Sequence, residues 1–101
     1  MVQINWTEQA KTDLKEIADY ISIDSVKYAQ YQILRIISAT KNLKNFARLG
    51  KIVPEIRDSK IRELVTGNYR IIYLIVNDRR IDILTIHHST RDLSKRKIKN
   101  Q

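Results

Sequence analysis

The residue with the clearest capacity for chemistry is Arg70, which interrupts an otherwise apolar run from Tyr69 to Val76. A guanidinium is costly to bury unless it is paired or faces a ligand. Its planar fork suits a phosphate group, so the preferred hypothesis is that Arg70 projects from an uncovered sheet face onto a phosphate. The alternative is an ion pair with Glu55, Glu63 or Asp82.

Two adjacent histidines, His87 and His88, end the last apolar run of the chain. Because successive side chains of a strand point to opposite faces, the pair is a poor candidate for binding one metal ion. Beside Arg70 on a neighbouring strand, either imidazole could serve as a general acid or base. The alternative is that these histidines only make hydrogen bonds at the end of a strand.

Several kinds of site are excluded or disfavoured by the residues that the sequence lacks. It contains no cysteine, no glycine-rich phosphate loop and no nucleophile elbow around Ser89. We therefore expect neither a metal nor a cofactor, and we discard nucleotide-hydrolysing, dinucleotide-binding and serine-hydrolase functions.

Positive charge is the largest clue in the composition, with 19 Lys and Arg against 11 Asp and Glu, for a net charge of +8. A small domain this basic attracts RNA, DNA or an acidic protein, although such charge can also serve solubility alone. Residues 89–101 carry five basic side chains and one acidic side chain, a net charge of +4. The candidate nucleic-acid contacts are Lys60, Arg62, Arg91, Lys95, Arg96 and Lys97.

The elements that position these residues follow from apolar periodicity. A short strand is predicted over Val2–Trp6, and helices are predicted from Thr7 to Ser22 and from Asp24 or Ser25 to about Asn45. The connection from Phe46 to Ser59 has a possible extended piece at 51–53, and strands follow at Ile61–Thr66, Tyr69–Val76 and Ile81–His88. The order predicts an α+β fold, with an antiparallel helical hairpin on one face of a small antiparallel sheet. The opposite face then needs a cover or a ligand.

The 101 residues suffice for one compact domain. The first residues lack the basic and apolar regions of a signal peptide, and no apolar run approaches the length of a membrane span. Together with the absence of cysteine, these features favour a cytoplasmic protein.

Four motifs in order resemble the RelE/ParE superfamily of toxins from type II toxin–antitoxin systems, also described as plasmid stabilisation proteins. They are Trp6-x3-Ala10-x2-Asp13-Leu14, Gly50-Lys51-x-Val53-Pro54-Glu55, Arg62-Glu63-Leu64-x2-Gly67-Asn68-Tyr69-Arg70 and Ile86-His87-His88-x2-Arg91-Asp92-Leu93. The resemblance implies a toxin domain over residues 1–93 followed by a basic tail over 94–101. It also implies a small acidic antitoxin with a segment that orders on binding, and a possible toxin–antitoxin hetero-oligomer.

The resemblance leaves two targets open. RelE-like members cut mRNA on the ribosome without a metal, through attack of a 2′-hydroxyl on the neighbouring phosphate. On that reading the resemblance implies Arg70 and His87 or His88 as catalytic residues. The RNA backbone would be bound by Lys60, Arg62 and Arg91. ParE-like members inhibit DNA gyrase and need no catalytic set. The tail after His88 lacks a tyrosine, and the helical hairpin with its Trp6-x3-Ala10 opening is closer to ParE, so gyrase is the preferred target. A basic nucleic-acid-binding module without toxicity is a third possibility.

Overall fold

The computed structural model describes residues 2–89, so the predicted contacts at Arg91, Lys95, Arg96 and Lys97 and the 94–101 tail lie outside the described residues. The elements, in chain order, are β1 Gln3–Trp6, α1 Glu8–Ser22, α2 Val26–Lys41, a 3-10 turn at Asn42–Lys44, β2 Lys51–Ile52, β3 Ile61–Thr66, β4 Tyr69–Asn77 and β5 Arg80–His88. The prediction of two helices followed by an antiparallel β3–β4–β5 meander is confirmed.

Both helices begin at the predicted caps. Thr7 Oγ1 accepts a hydrogen bond from the Ala10 backbone N at 3.2 Å, and Ser25 Oγ accepts one from the Tyr28 backbone N at 3.0 Å. Each hydroxyl satisfies a donor that the first turn of a helix leaves unpaired. The second helix ends at Lys41 rather than near Asn45, and its last turn tightens into the 3-10 turn.

The five strands form one sheet in the order β1-β5-β4-β3-β2. The first strand runs parallel to the start of β5, with Ile4 opposite Ile81 and Trp6 opposite Ile83. Thr7 then links α1 to the same strand, because its hydroxyl donates to the Ile83 carbonyl at 2.7 Å. Since β1 stops there, the remainder of β5 has no strand partner on that side within residues 2–89.

Two apolar clusters cover the two faces of the sheet. The larger one joins Ala10 and Ile36 of the helices to sheet residues such as Ile71, Tyr73 and Ile83. The smaller one joins Val53 and Ile56, in the segment after β2, to Ile61, Ile72 and Leu84 of the sheet. The segment after β2 is therefore the cover that the face opposite the helices was expected to need. None of the helices within residues 2–89 is long and apolar enough to cross a membrane.

Candidate functional site

Arg70 lies in β4 on the face that carries the smaller apolar cluster, and it is only 6% exposed. Its Nε donates to Glu63 Oε1 at 2.5 Å. Its Nη1 and Nη2 donate to the two carboxylate oxygens of Glu55 at 2.7 and 2.8 Å. The hydrogen bonds to Glu55 and then Glu63 raise the pKa of the guanidinium further above its usual value, although burial acts in the opposite direction.

These contacts match the ion-pair alternative for Arg70, with Glu55 and Glu63 as partners and without Asp82. The preferred hypothesis expected Arg70 to lie on an uncovered face of the sheet. In the structure the segment after β2 folds over this face and brings Glu55 onto the guanidinium. Lys51 lies 3.8 Å from the second oxygen of Glu63, so two cations face two carboxylates in this cluster. A catalytic role for Arg70 stays a prediction.

His87 is the register partner of Arg70 on the neighbouring strand, and it is buried. Its Nε2 lies 3.1 Å from Thr85 Oγ1. His88 is exposed, and its ring packs against that of Tyr69 in a T-shaped arrangement, with 5.9 Å between ring centroids. The sequence placed Arg70 beside a strand-end histidine, and the structure brings Arg70 and His87 together; whether either histidine moves protons remains untested.

Asp13 of α1 stands in the first family motif but was not among the candidate site residues. It connects the first helix to the side of β5 that β1 leaves unpaired within residues 2–89. Its Oδ2 accepts from the Ile86 backbone N at 3.0 Å and from the Thr85 hydroxyl, and its Oδ1 accepts from Gln9 Nε2 at 2.8 Å. The carboxylate thus takes the place of a strand partner beyond the end of β1. Asp13 falls three residues after Ala10 on the apolar stripe of α1, and an acidic residue on that stripe was the available signal.

The two described candidates for nucleic-acid contact have different surroundings. Arg62 donates from Nε to the Ser59 carbonyl at 3.0 Å and from Nη1 to the Gly50 carbonyl at 2.9 Å, so it also fixes the loop before β3. Lys60 lines an open pocket of about 440 Å³ together with Arg48 and Asp78. These contacts do not test whether Lys60 or Arg62 binds phosphate, and both stay predicted nucleic-acid contacts.

The Tyr73 side chain connects β4 to the segment before β2 through hydrogen bonds to Gly50 and Ala47. The Tyr73 hydroxyl accepts from the Gly50 backbone N at 2.9 Å and donates to the Ala47 carbonyl at 2.8 Å. Burial raises the pKa of Tyr73, despite the opposing effect of the Gly50 hydrogen bond. A Cβ at position 50 would lie 2.5 Å from the Glu63 carbonyl oxygen, which explains why glycine occupies that position.

Across residues 2–89, no group of three or more His, Asp or Glu side chains is arranged to hold a metal ion.

Comparisons with known proteins agree with the fold. A structure described as the chromosomal ParDE TA system from P. aeruginosa aligns with a TM-score of 0.68 and 25% identity, covering 87% of this chain and 96% of that one. No curated protein matches the sequence. A family model described as the ParE toxin of the type II toxin–antitoxin system parDE matches residues 4–93, so most of the chain, including Arg70 and both histidines, lies within it. The chain belongs to the ParE toxin family of type II toxin–antitoxin systems.

Proposed function

We propose that this protein stops growth by binding and inhibiting DNA gyrase and that an acidic antitoxin made with it neutralises it in the cytoplasm. The observation that carries the proposal is the match to the ParE toxin family over residues 4–93. A net charge of +8 supports pairing with an acidic protein, since opposite charges accelerate encounter and favour the correct partner. The aligned structure is described as a ParDE system, which is consistent with a toxin–antitoxin hetero-oligomer.

The surroundings of Arg70 support a binding function over a ribonuclease function. A catalytic guanidinium must meet the charge that develops on a phosphate in the transition state. Here two carboxylates accept from Nε, Nη1 and Nη2 of Arg70. To bind a phosphate, the arginine would have to leave at least one of them, and breaking a buried ion pair costs about 3–5 kcal/mol.

The order in which cellular processes stop after induction tests the proposal. The protein is induced in bacteria, and incorporation of labelled thymidine and labelled methionine is followed in parallel. We expect DNA synthesis to stop first and co-expression of the antitoxin to restore growth. If methionine incorporation collapses while thymidine incorporation continues, gyrase is not the primary target.

Ribosome-dependent mRNA cleavage is the second candidate, and the pairing of Arg70 with His87 across adjacent strands favours it. On that hypothesis the histidine moves a proton while the arginine holds the scissile phosphate, with no metal required. Toe-printing of a translated message would reveal cuts at codon boundaries that His87→Gln removes. Intact messages at a toxin concentration that arrests growth would eliminate this candidate.

A further inference from the structure

Gln32 of α2 has an unsatisfied hydrogen-bond donor inside the protein. It is 2% exposed, yet its Nε2 has no hydrogen-bond partner within residues 2–89. No other buried side-chain nitrogen or oxygen atom in that part of the chain shares this property. A buried donor without an acceptor is unfavourable, and nearly all such groups in folded proteins are paired. Gln32 therefore calls for an acceptor that the described residues do not supply.

The guanidinium of Arg35 lies beside this amide. Arg35 Nη1 and Gln32 Nε2 both lie 3.2 Å from the point where a Cβ on Gly67 would stand. Gly67 begins the turn between β3 and β4 with a φ of 58°, and because it has no side chain the turn can approach both nitrogens. The two donors therefore converge on one place beside the turn.

The charge of Arg35 is not neutralised within residues 2–89. Its side chain is exposed, and it forms no ion pair with a described carboxylate. The sequence explains this, because residues 25–54 contain six lysines and arginines but neither aspartate nor glutamate. The adjoining strand β3 contributes one carboxylate, Glu63, which is bonded to Arg70. In the described part of the chain, a neutral donor and a cation thus share a site without an anion.

This pair of donors fits an anion with two oxygens. A carboxylate can accept from the Gln32 amide through one oxygen and from the Arg35 guanidinium through the other. Hydrogen bonds between charged groups are stronger than neutral ones, so the same ligand would meet the charge of Arg35 and satisfy Nε2 of Gln32. A neutral carbonyl would satisfy the amide alone.

The surroundings favour a protein carboxylate over a nucleic-acid phosphate. Tyr31 and Leu34, within one turn of Arg35 on α2, are 57% and 65% exposed. At 3.6 residues per turn, Lys27 and Lys41 point about 80° and 120° away from Arg35. A nucleic-acid backbone is bound by a series of cations, whereas this surface presents one cation beside aromatic and apolar groups, as protein interfaces do.

We propose that Gln32 and Arg35, beside the turn at Gly67, bind the carboxylate of an aspartate or glutamate side chain that the antitoxin presents. The inference rests on the proposed function, because it takes an acidic antitoxin as the partner of a chain with a net charge of +8. Arg35 supplies the charge that attracts the carboxylate. Gln32 fixes the direction of approach, because its amide is held in the protein interior.

Nuclear magnetic resonance of the full chain, labelled with 15N, tests the site without the antitoxin. The α-amide of N-acetyl-glutamate is the probe, and N-acetyl-glutamine amide is its neutral control of nearly the same shape. At constant ionic strength, the side-chain amide signals of Gln32 should shift saturably with the glutamate compound only. The dissociation constant should be on the order of 10 mM for so small a ligand. Equal shifts with both compounds, or no shift at Gln32, would overturn the proposal.

An acceptor from the chain itself is the competing explanation. The described residues end near the turn, since the Ser89 backbone N donates to the Asn68 carbonyl at 2.6 Å, and residues 90–101 include one acidic side chain, Asp92. Asp92→Asn should leave the Gln32 side-chain signals of the free protein in place and probe binding unchanged. A displacement as large as the one caused by the probe would assign the acceptor to Asp92 and overturn the proposal.

Two substitutions separate recognition from folding, with probe binding followed at the Gly67 amide. Gln32→Leu removes the unsatisfied donor and is similar in size, so the melting temperature should stay the same or rise while probe binding weakens by about threefold or more. Arg35→Gln should abolish measurable binding, whereas Lys27→Gln removes a charge from the same helix and should leave it unchanged. A lower melting temperature with retained binding in Gln32→Leu, or equal losses in the Arg35 and Lys27 variants, would contradict the assignment.

Affinity for the purified antitoxin connects the site to neutralisation. Arg35→Gln should weaken the complex by about tenfold, as expected for a lost hydrogen bond between charged groups, and Lys27→Gln by less than about twofold. Equal effects of the two variants would overturn the proposal. The site and the gyrase target fail separately. Gyrase inhibition by a chain without glutamate-specific shifts rejects the site alone, and glutamate-specific shifts in a chain that leaves gyrase active reject the gyrase target alone.

Discussion

Arg70 and Glu55 are joined by two parallel hydrogen bonds, 2.7 Å from Nη1 to Oε2 and 2.8 Å from Nη2 to Oε1. This bidentate ion pair links the segment after β2 to the middle of the sheet. Glu63 holds the same guanidinium from the adjacent strand at 2.5 Å. Because the segment also packs Val53 and Ile56 against the sheet, the ion pairs and the smaller apolar cluster form one structural unit.

Neutralising Glu63 should destabilise the protein markedly. Glu63→Gln removes one of the two carboxylates that hold Arg70 while Glu55 remains, and losing a buried hydrogen bond between charged groups costs about 1.5–3 kcal/mol. Glu8→Gln breaks an exposed pair with Lys11 and serves as the control, with an expected change within about 0.5 kcal/mol. Urea denaturation followed by circular dichroism measures both. Similar midpoints for the two variants would mean that the Arg70 cluster contributes little to the fold.

Removing the Asp13 carboxylate should detach α1 from the end of β5. In Asp13→Ala the Ile86 backbone N loses its acceptor, and an unsatisfied buried donor costs about 1–3 kcal/mol. Hydrogen exchange at the Ile86 amide should accelerate more than exchange at the amide of Ile71, whose strand is paired on both sides. Unchanged exchange at Ile86 would show that this contact does not hold the strand.

Adding a methyl group at Gly50 should be more disruptive than adding one at Gly67. The new Cβ at Gly50 would meet the Glu63 carbonyl oxygen at 2.5 Å and the Tyr73 hydroxyl at 2.7 Å. At Gly67 the nearest atoms, at 3.2 Å, belong to the side chains of Arg35 and Gln32, and the cost is mainly that of a positive φ of 58°, about 1–2 kcal/mol. Thermal unfolding of the two alanine variants gives the comparison. A lower melting temperature for Gly67→Ala would contradict it.

Stability should fall in alkaline solution partly because of Tyr73. Burial raises the pKa of this phenol above 10.0 in the folded state, so its contribution to stability is complete below that pH. The contribution is lost as the pH rises through the folded-state pKa, because the unfolded chain releases the proton more readily. Tyr73→Phe should lower stability at pH 7 through lost hydrogen bonds to Gly50 and Ala47, but should flatten its decline above pH 10.0. Tyr20→Phe, at an exposed position, is the control, and parallel pH profiles for Tyr73→Phe and wild type would refute this role.

Much of the architecture could be predicted from local patterns. Thr7 and Ser25 are helix caps because their hydroxyls satisfy the first turns, and alternation within β4 placed Arg70 and Ile72 on one face. The parallel pairing of β1 with β5 could not be predicted, because nothing in the residues 3–6 specifies a partner 77 positions away. The sequence limited the possible partners of Arg70 to Glu55, Glu63 and Asp82. Which of these carboxylates pair with it depends on how the segment after β2 folds back over the sheet.

Asp13 shows the limit of the sequence argument more clearly. Its spacing from Ala10 places it on the buried stripe of α1, yet only the tertiary fold reveals that β1 ends at Trp6 and leaves the Ile86 amide needing an acceptor.

Supercoiling of relaxed plasmid by purified gyrase, titrated with the purified protein, tests the proposed function most directly. A binding toxin should inhibit at concentrations comparable to that of gyrase, and addition of the antitoxin should reverse the inhibition. Full supercoiling at a large excess of natively folded protein, together with antitoxin-sensitive mRNA cleavage on ribosomes, would contradict gyrase binding and support the ribonuclease.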